Sequence, residues 1–329
     1  MSFSDDQRYY LKLKALSCLY EEGLSKTNIA KQLNISRVTL DKLLEEAKAE
    51  GMIKYEIIDV RGQMKLIQIE KEMRNSFGLR DIKLVDTGQA DEETAVRRIA
   101  AEGAAYVSQI LRSNMRIGLT WGRTLSNMIQ ELKPDAHVKD LTVYTLVGGA
   151  STSSNFQPNL LAQQFINKYD GQAVVMTAPF MCQRAELCTE IKQEPSIAHI
   201  LHASRNVDIT LVGIGEEPEK GADRLSDYPF DKKMIDQLVK ANAVGDICGN
   251  FFDINGNLCD TPLRNRIVSI DISELLSHKW VVGIGRGPKK TRSILGALNG
   301  GYLDMLITDL DTATRVLDEK NRESSTASP

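Results

Sequence analysis

Two hydrophobic rhythms divide this chain. As far as residue 51 the apolar residues recur at helical spacing; beyond residue 79 short continuous apolar runs alternate with amphipathic stretches. The first rhythm predicts a helix over 9–22, with Tyr10, Leu13, Ala15, Leu16 and Leu19 as its apolar positions, packed across the two helices that follow. Those two lie within LSKTNIAKQLNISRVTLDKLLEEAKAEG, residues 24–51. Ser25 is placed to cap the first of them, because its hydroxyl can accept a free backbone N–H of the opening turn. Ile29, Ala30 and Leu33 share one face, and Asn34 tolerates the left-handed backbone that a turn between helices needs. Ser36 can cap a second helix, over 36–51, whose apolar positions are Val38, Leu40, Leu43 and Leu44.

This cap–turn–cap order, with small Ala30 where the helices would cross, resembles a DNA-binding helix-turn-helix with 36–51 as the recognition helix. An ordinary helical hairpin is the plainer alternative. The candidate DNA-binding residues are Ser25, Lys26, Thr27, Ser36, Arg37, Thr39, Asp41 and Lys42. Residues 52–60, MIKYEIIDV, alternate like a short strand and predict a β-wing beside the DNA. A helix over 65–77 carries Leu66, Ile69, Met73 and Phe77 on one stripe, with Gly78 as its stop. It either opens the second domain or links the two and pairs with a partner chain.

The second rhythm predicts strands over 82–88, 115–122, 141–149, 173–179, 208–215, 280–285 and 305–309. Helices over 94–111, 123–132, 159–168 and 291–298 lie between them. Strand, turn and helix in repetition mean a Rossmann-like α/β domain, a parallel sheet with helices on both faces. Strands buried on both sides read as continuous Val/Ile/Leu runs, as these do. Ligands of such sheets bind outside the carboxyl ends of the strands. The expected division is a helix-turn-helix domain over 1–60, a linker helix over 61–78, an α/β effector and oligomerisation domain over 79–319 and a polar, unstructured tail over 320–329.

Composition narrows the use of the first domain. The whole chain has 329 residues and a formal net charge of −3, which argues against a protein that coats nucleic acid with its entire surface. Residues 1–58 hold nine Lys or Arg (8, 12, 14, 26, 31, 37, 42, 48, 54) and nine Asp or Glu (5, 6, 21, 22, 41, 45, 46, 50, 56). A neutral module binds DNA weakly as one copy, so several copies on one DNA are expected. No apolar run reaches the ~18 residues of a membrane span. The N-terminus has no signal-peptide pattern, and the five cysteines are odd in number without CxxC spacing, so free thiols in a cytoplasm are expected, with no metal.

Several strand ends carry residues with chemistry. In GLTWGRTLSNMI, Gly122 lets a ligand approach the backbone, and Arg123 and Thr124 open a helix whose free N–H groups favour an anion. Gly148 and Gly149 end the next strand and lead into the polar stretch STSSN. GIGRGPKK lacks the third glycine of a dinucleotide fingerprint, and Arg286, Lys289 and Lys290 suit phosphate better. In GDICGNFFDINGN, Asp246 would accept hydrogen bonds from sugar hydroxyls, with an ordinary turn carboxylate as the rival reading.

The helix-turn-helix followed by WGRTL, VGGAS, TAPF, LVGIGE, GDICGNFFDINGN and KKTRSILGALNGGYLDMLITD resembles the SorC family of bacterial sugar-responsive transcriptional regulators. The resemblance runs from about residue 9 to 317 and rests most on the two long motifs. It implies an effector domain similar to glucosamine-6-phosphate deaminase and ribose-5-phosphate isomerase, binding a phosphorylated sugar or polyol at the carboxyl edge of the sheet. On the matching positions, Gly122, Arg123 and Thr124 would line the site, Gly148, Gly149, Ala150 and Ser151 would supply loop contacts, and Pro179 and Phe180 would wall the sugar. Asp246 would hold a hydroxyl, Lys290 would pair with phosphate, and Arg224 is a further candidate. Two departures from the family's pattern stand out: Asp41 in the recognition helix and Arg286 in the glycine loop.

The resemblance also implies operator double-stranded DNA as partner, a tetramer built as a dimer of dimers, and no cofactor. The rival from another class is a sugar-phosphate isomerase or deaminase-like enzyme with a DNA-binding domain. Against it, none of His137, His199, His202 and His278 sits at a glycine-rich strand end, and no catalytic residue is assigned.

Overall fold

A computed structural model describes residues 4–149, 157–218 and 230–326 apart from 55, 57 and 61. Contacts divide the chain into two compact units, Met1–Gly62 and Gln63–Pro329.

The first unit is three helices, α1 (Asp5–Tyr20), α2 (Lys26–Gln32) and α3 (Arg37–Ala49). Three serines start them: Ser4, Ser25 and Ser36 accept the N–H groups of Gln7, Asn28 and Thr39. Asn34 holds φ 53° in the turn before α3, as its short polar side chain allows. Ala15, Cys18, Ile29, Ala30, Leu40 and Leu44 form the core. Three residues expected to pack inward do not. Tyr10 and Leu13 are exposed on α1, and Val38 is 80% exposed on α3. The buried stripe of α1 is Lys12, Ala15 and Cys18, so a lysine stem takes the place expected of an apolar side chain.

That lysine is held by charge. Lys12 pairs with Glu46 of α3 and with Glu50 at its C-terminal cap, and Arg8 donates from Nε to Glu46 Oε2 at 2.8 Å. Arg8 and Lys12 together hold the Glu46 carboxyl down at about 2. The expected β-wing is absent: no strand forms among the described residues of 52–60, and Ile58 and Val60 are exposed. Alternation alone does not make a strand; its backbone needs a partner to complete the hydrogen bonds.

The second unit opens with α4 (Met64–Phe77), β1 (Asp81–Val85), α5 (Glu92–Ile110), β2 (Arg116–Leu119) and α6 (Arg123–Glu131). It continues through β3 (Leu141–Thr145), α7 (Pro158–Ile166), β4 (Gly171–Val174), α8 (Ala185–Gln193), α9 (Pro195–Ala203), β5 (Ile209–Gly213) and α10 (Lys232–Lys240). It closes with β6 (Gly245–Ile247), β7 (Asn250–Phe252), α11 (Ile272–Leu275), β8 (Val281–Ile284), α12 (Thr291–Asn299), β9 (Met305–Asp309) and α13 (Leu310–Thr326). Seven strands pair in the order β1-β9-β8-β5-β2-β3-β4, every pair parallel, and β6 and β7 form a separate antiparallel hairpin.

Alternate residues of each strand feed two cores. Val212, Ile214, Val281 and Leu306 face α4, α12 and α13, while Ile209, Leu211, Val282 and Ile307 face α5, α6 and α7. Met73 of α4 is fully buried in the first of these cores. The segment beyond 320, expected to lack structure, instead continues α13 to Thr326, with Lys320 Nζ set over the Phe77 ring at 4.1 Å.

The two long sequence motifs are packed on each other. A Cβ at Gly256 would lie 2.2 Å from the Gly300 nitrogen, and one at Gly245 would lie 2.4 Å from Ser293 Cβ. Tyr302 Oη donates to the Gly256 carbonyl, and Asn299 Nδ2 to that of Ile254 at 2.8 Å. These glycines are required by the close approach of α12 to the hairpin of Asp246.

Candidate functional site

The carboxyl ends of β2, β5 and β8 bring three segments of the sheet's edge together. After β2, Gly122 caps α6 with φ 132°, a backbone that favours glycine, and no side chain caps the helix. The first-turn N–H groups of Arg123, Thr124 and Leu125 therefore have no intrahelical acceptor. Arg123 is exposed and Thr124 half-buried. After β5 comes Ile214-Gly215, and after β8 the chain turns through Gly285 to Lys290. Lys290 Nζ donates to the Ile214 carbonyl, so the third segment is tied to the second.

Asp246 sits on β6 against this edge. Its backbone carbonyl accepts the Gly215 N–H at 2.8 Å, and its Oδ2 accepts the Gly249 N–H at 2.8 Å. Cys248 and Gly249, at φ 57° and 75°, make the tight turn that allows this second bond. Only 4% of Asp246 is exposed, and burial pushes its carboxyl up to about 6 against the opposing pull of the Gly249 N–H and of Lys290. Asp246 therefore does bond across its own turn, as the rival reading expected, and Asp253 does the same, its Oδ1 accepting the N–H groups of Asn255 and Asn257. Asp246 is thus a buried carboxyl near a lysine at the carboxyl edge of the sheet, where open parallel sheets bind their ligands.

Other expected contacts have different work. Gly148 and Gly149 donate their N–H groups to the carbonyls of Val268 and Ala178, and a Cβ at Gly148 would lie 2.5 Å from the Pro179 carbonyl oxygen. Close packing of loops requires the glycine at 148, and the N–H groups of both are already used. Phe180 is buried to 1% exposure with its ring 4.8 Å from that of Trp121, so it belongs to the core; Pro179 is exposed. Arg286, one of the three basic residues expected to suit phosphate, pairs with Asp309 at 2.8 Å and Glu92 at 2.6 Å. Ala150, Ser151 and Arg224 lie outside the described residues. Sequence reasoning missed Gly215 and the Glu217–Arg292 pair at 2.7 Å; the run LVGIGE held the signal for the first. His278 is buried before β8 and bonds Thr210 Oγ1 at 2.7 Å, and His199 and His202 are exposed on α9.

Among the described residues no group of three His, Cys, Asp or Glu side chains could hold a metal, and no helix is long and apolar enough to cross a membrane.

On the first unit, Lys26 and Asp41 join α2 to α3 at 2.7 Å, which holds the Asp41 carboxyl below its usual range. Ser36 and Thr39 share a hydroxyl hydrogen bond of 2.8 Å. Arg37, Lys42 and Thr27 are exposed, and Ser25 is exposed as the cap of α2.

A family model described as "Putative sugar-binding domain" matches residues 62–318. The chain belongs to this sugar-binding family, in SorC-type regulators. The sorbitol operon regulator of Klebsiella pneumoniae is 28% identical over 96% of the chain and 100% of that protein. The deoxyribonucleoside regulator of Bacillus subtilis is 27% identical over 96% of the chain and 99% of its own length. The full-length structure of the Klebsiella pneumoniae sorbitol operon regulator SorC superposes with a TM-score of 0.73 at 27% identity, covering 95% of this chain and all of that one. A transcriptional regulator from Streptococcus pneumoniae gives 0.74 at 26% identity over 79% of this chain and 99% of its own. These relatives are named as regulators, not enzymes.

Proposed function

We propose that this chain is a cytoplasmic, tetrameric repressor or activator that binds operator DNA through α2 and α3 and releases or engages it when a phosphorylated sugar or polyol enters the edge of the sheet. The observation that carries the effector half is the buried Asp246 carboxyl beside Lys290 and the uncapped start of α6. Asp246 accepts a sugar hydroxyl, while Lys290 and the N–H groups at Arg123 and Thr124 hold the phosphate. Gly122 admits the ligand to the backbone. Gly148, Gly149, Pro179 and Phe180 support the loops around it, and Ala150, Ser151 and Arg224 complete the proposed set. The operator half uses Arg37, Thr39 and Lys42 of α3, with Ser25, Lys26, Thr27, Ser36 and Asp41 framing them. The switch is linkage: the effector binds one arrangement of the oligomer more tightly and shifts its population.

A thermal-shift screen of sugar and polyol phosphates against their dephosphorylated forms tests the effector half, since a ligand selective for the folded chain raises its melting temperature. Lys290→Ala is expected to lose the response to the phosphorylated form selectively; an equal loss for both forms contradicts the phosphate role. Arg37→Ala is expected to abolish DNA binding and leave the thermal shift in place; unchanged DNA affinity removes Arg37 from the reading surface.

A further inference from the structure

Val38 is an apolar side chain with no place in the core of its own domain. It is the second residue of α3 and 80% exposed, while Leu40, Leu43, Leu44 and Ala47 turn the opposite face inward. Helical spacing sets Val38 on one outward face with Asp41, Lys42 and Glu45. Local stability gives no reason for a valine there, because a β-branched residue on an exposed helical turn is a poorer helix former than alanine or lysine.

Three of the polar neighbours, Ser36, Thr39 and Asp41, are engaged within the domain. Ser36 and Thr39 bond each other, and Ser36 Oγ also accepts the Thr39 N–H at 3.1 Å. Asp41 is held by Lys26. The opening of α3 thus presents two side chains of contrasting chemistry, the Arg37 guanidinium and the Val38 isopropyl group.

We propose that Val38 is a specificity-determining residue that recognises a thymine through its C5-methyl group in the major groove, beside a base or phosphate contact from Arg37. The inference rests on the DNA-binding reading of α3. Thymine alone among the bases carries an apolar group on its major-groove edge, and an apolar side chain is its natural partner. The N-terminal residues of a recognition helix are those that reach base edges. Valine suits this task because its stiff χ1 holds both methyls in place before contact.

The test uses the full-length protein and a duplex selected by it from a random DNA pool. Each thymine is then replaced singly by uracil, which removes only the methyl group. One position per half-site is expected to weaken wild-type binding about four-fold, the effect of one buried methyl. Val38→Ala is expected to bind the parent duplex about as weakly and to ignore uracil at that same position. Val38→Thr, which keeps one γ-methyl, is expected to recover part of the sensitivity. Selection of a sequence with no uracil-sensitive position, or equal sensitivity in wild type and Val38→Ala, overturns the role of Val38 alone. Enrichment of no sequence overturns the DNA-binding reading with it. Unchanged melting of Val38→Ala separates lost contact from lost fold.

Discussion

Asp246 leaves no room for a side chain at Gly215: a Cβ there would lie 1.8 Å from Asp246 Oδ1. The same glycine donates its N–H to the Asp246 carbonyl at 2.8 Å, so the edge of β5 and the β6 hairpin meet backbone to backbone. Gly215→Ala must displace either the carboxylate or the strand end. We expect a loss of about 1–3 kcal/mol in urea unfolding, the usual result of overpacking, together with loss of effector response. Wild-type stability in this variant would mean that Asp246 swings away freely.

Asp246 also sets a pH dependence. Its folded pKa of about 6 lies above the ordinary 3.8, so its contribution favours the folded state below about pH 4 and is lost as pH rises through 6. At pH 7.5 the buried charge costs about 3 kcal/mol. Asp246→Asn should therefore stabilise the chain at pH 7.5, with the gain shrinking towards pH 4 in parallel denaturant titrations. A gain of equal size at both pH values would assign the effect to packing.

Glu46 works with the opposite sign. Its pKa falls from 4.5 to about 2 under Arg8 and Lys12, so its stabilising effect is complete above about pH 5 and disappears as pH falls through 2. Glu46→Gln should lower the melting temperature of the helical unit at pH 7 and match wild type near pH 2. Melting unaffected at pH 7 would show that the α1–α3 ion pairs contribute nothing.

The Lys26–Asp41 pair is half exposed on both sides, so breaking it should change stability by less than ~1 kcal/mol. Asp41→Ser frees the lysine ammonium for a phosphate. DNA affinity should rise across sequences, and its dependence on salt should steepen by about one counterion. A changed sequence preference at constant salt slope would return Asp41 to base reading.

The serine caps, the left-handed Asn34 and the continuous apolar runs of the seven sheet strands are all legible in the sequence. Each depends on local backbone chemistry or on a periodicity that burial imposes. The family motifs were legible too, because close packing of α12 on the β6–β7 hairpin demands glycine at particular points. Partnering across space was not. Whether 52–60 makes a strand depends on a neighbouring strand, and whether Val38 or Lys12 is buried depends on where α1 and α2 cross α3. Likewise Gly148, Phe180 and Arg286 share motifs with the proposed site, yet their backbone, ring and charge are taken by Val268, Trp121 and Asp309. The motif singled out Asp246, but only the fold buries it against Gly215. The chain's local rules determined its elements and family; only the tertiary contacts decided which polar groups are spent on packing the loops and which are gathered at the carboxyl edge of the sheet.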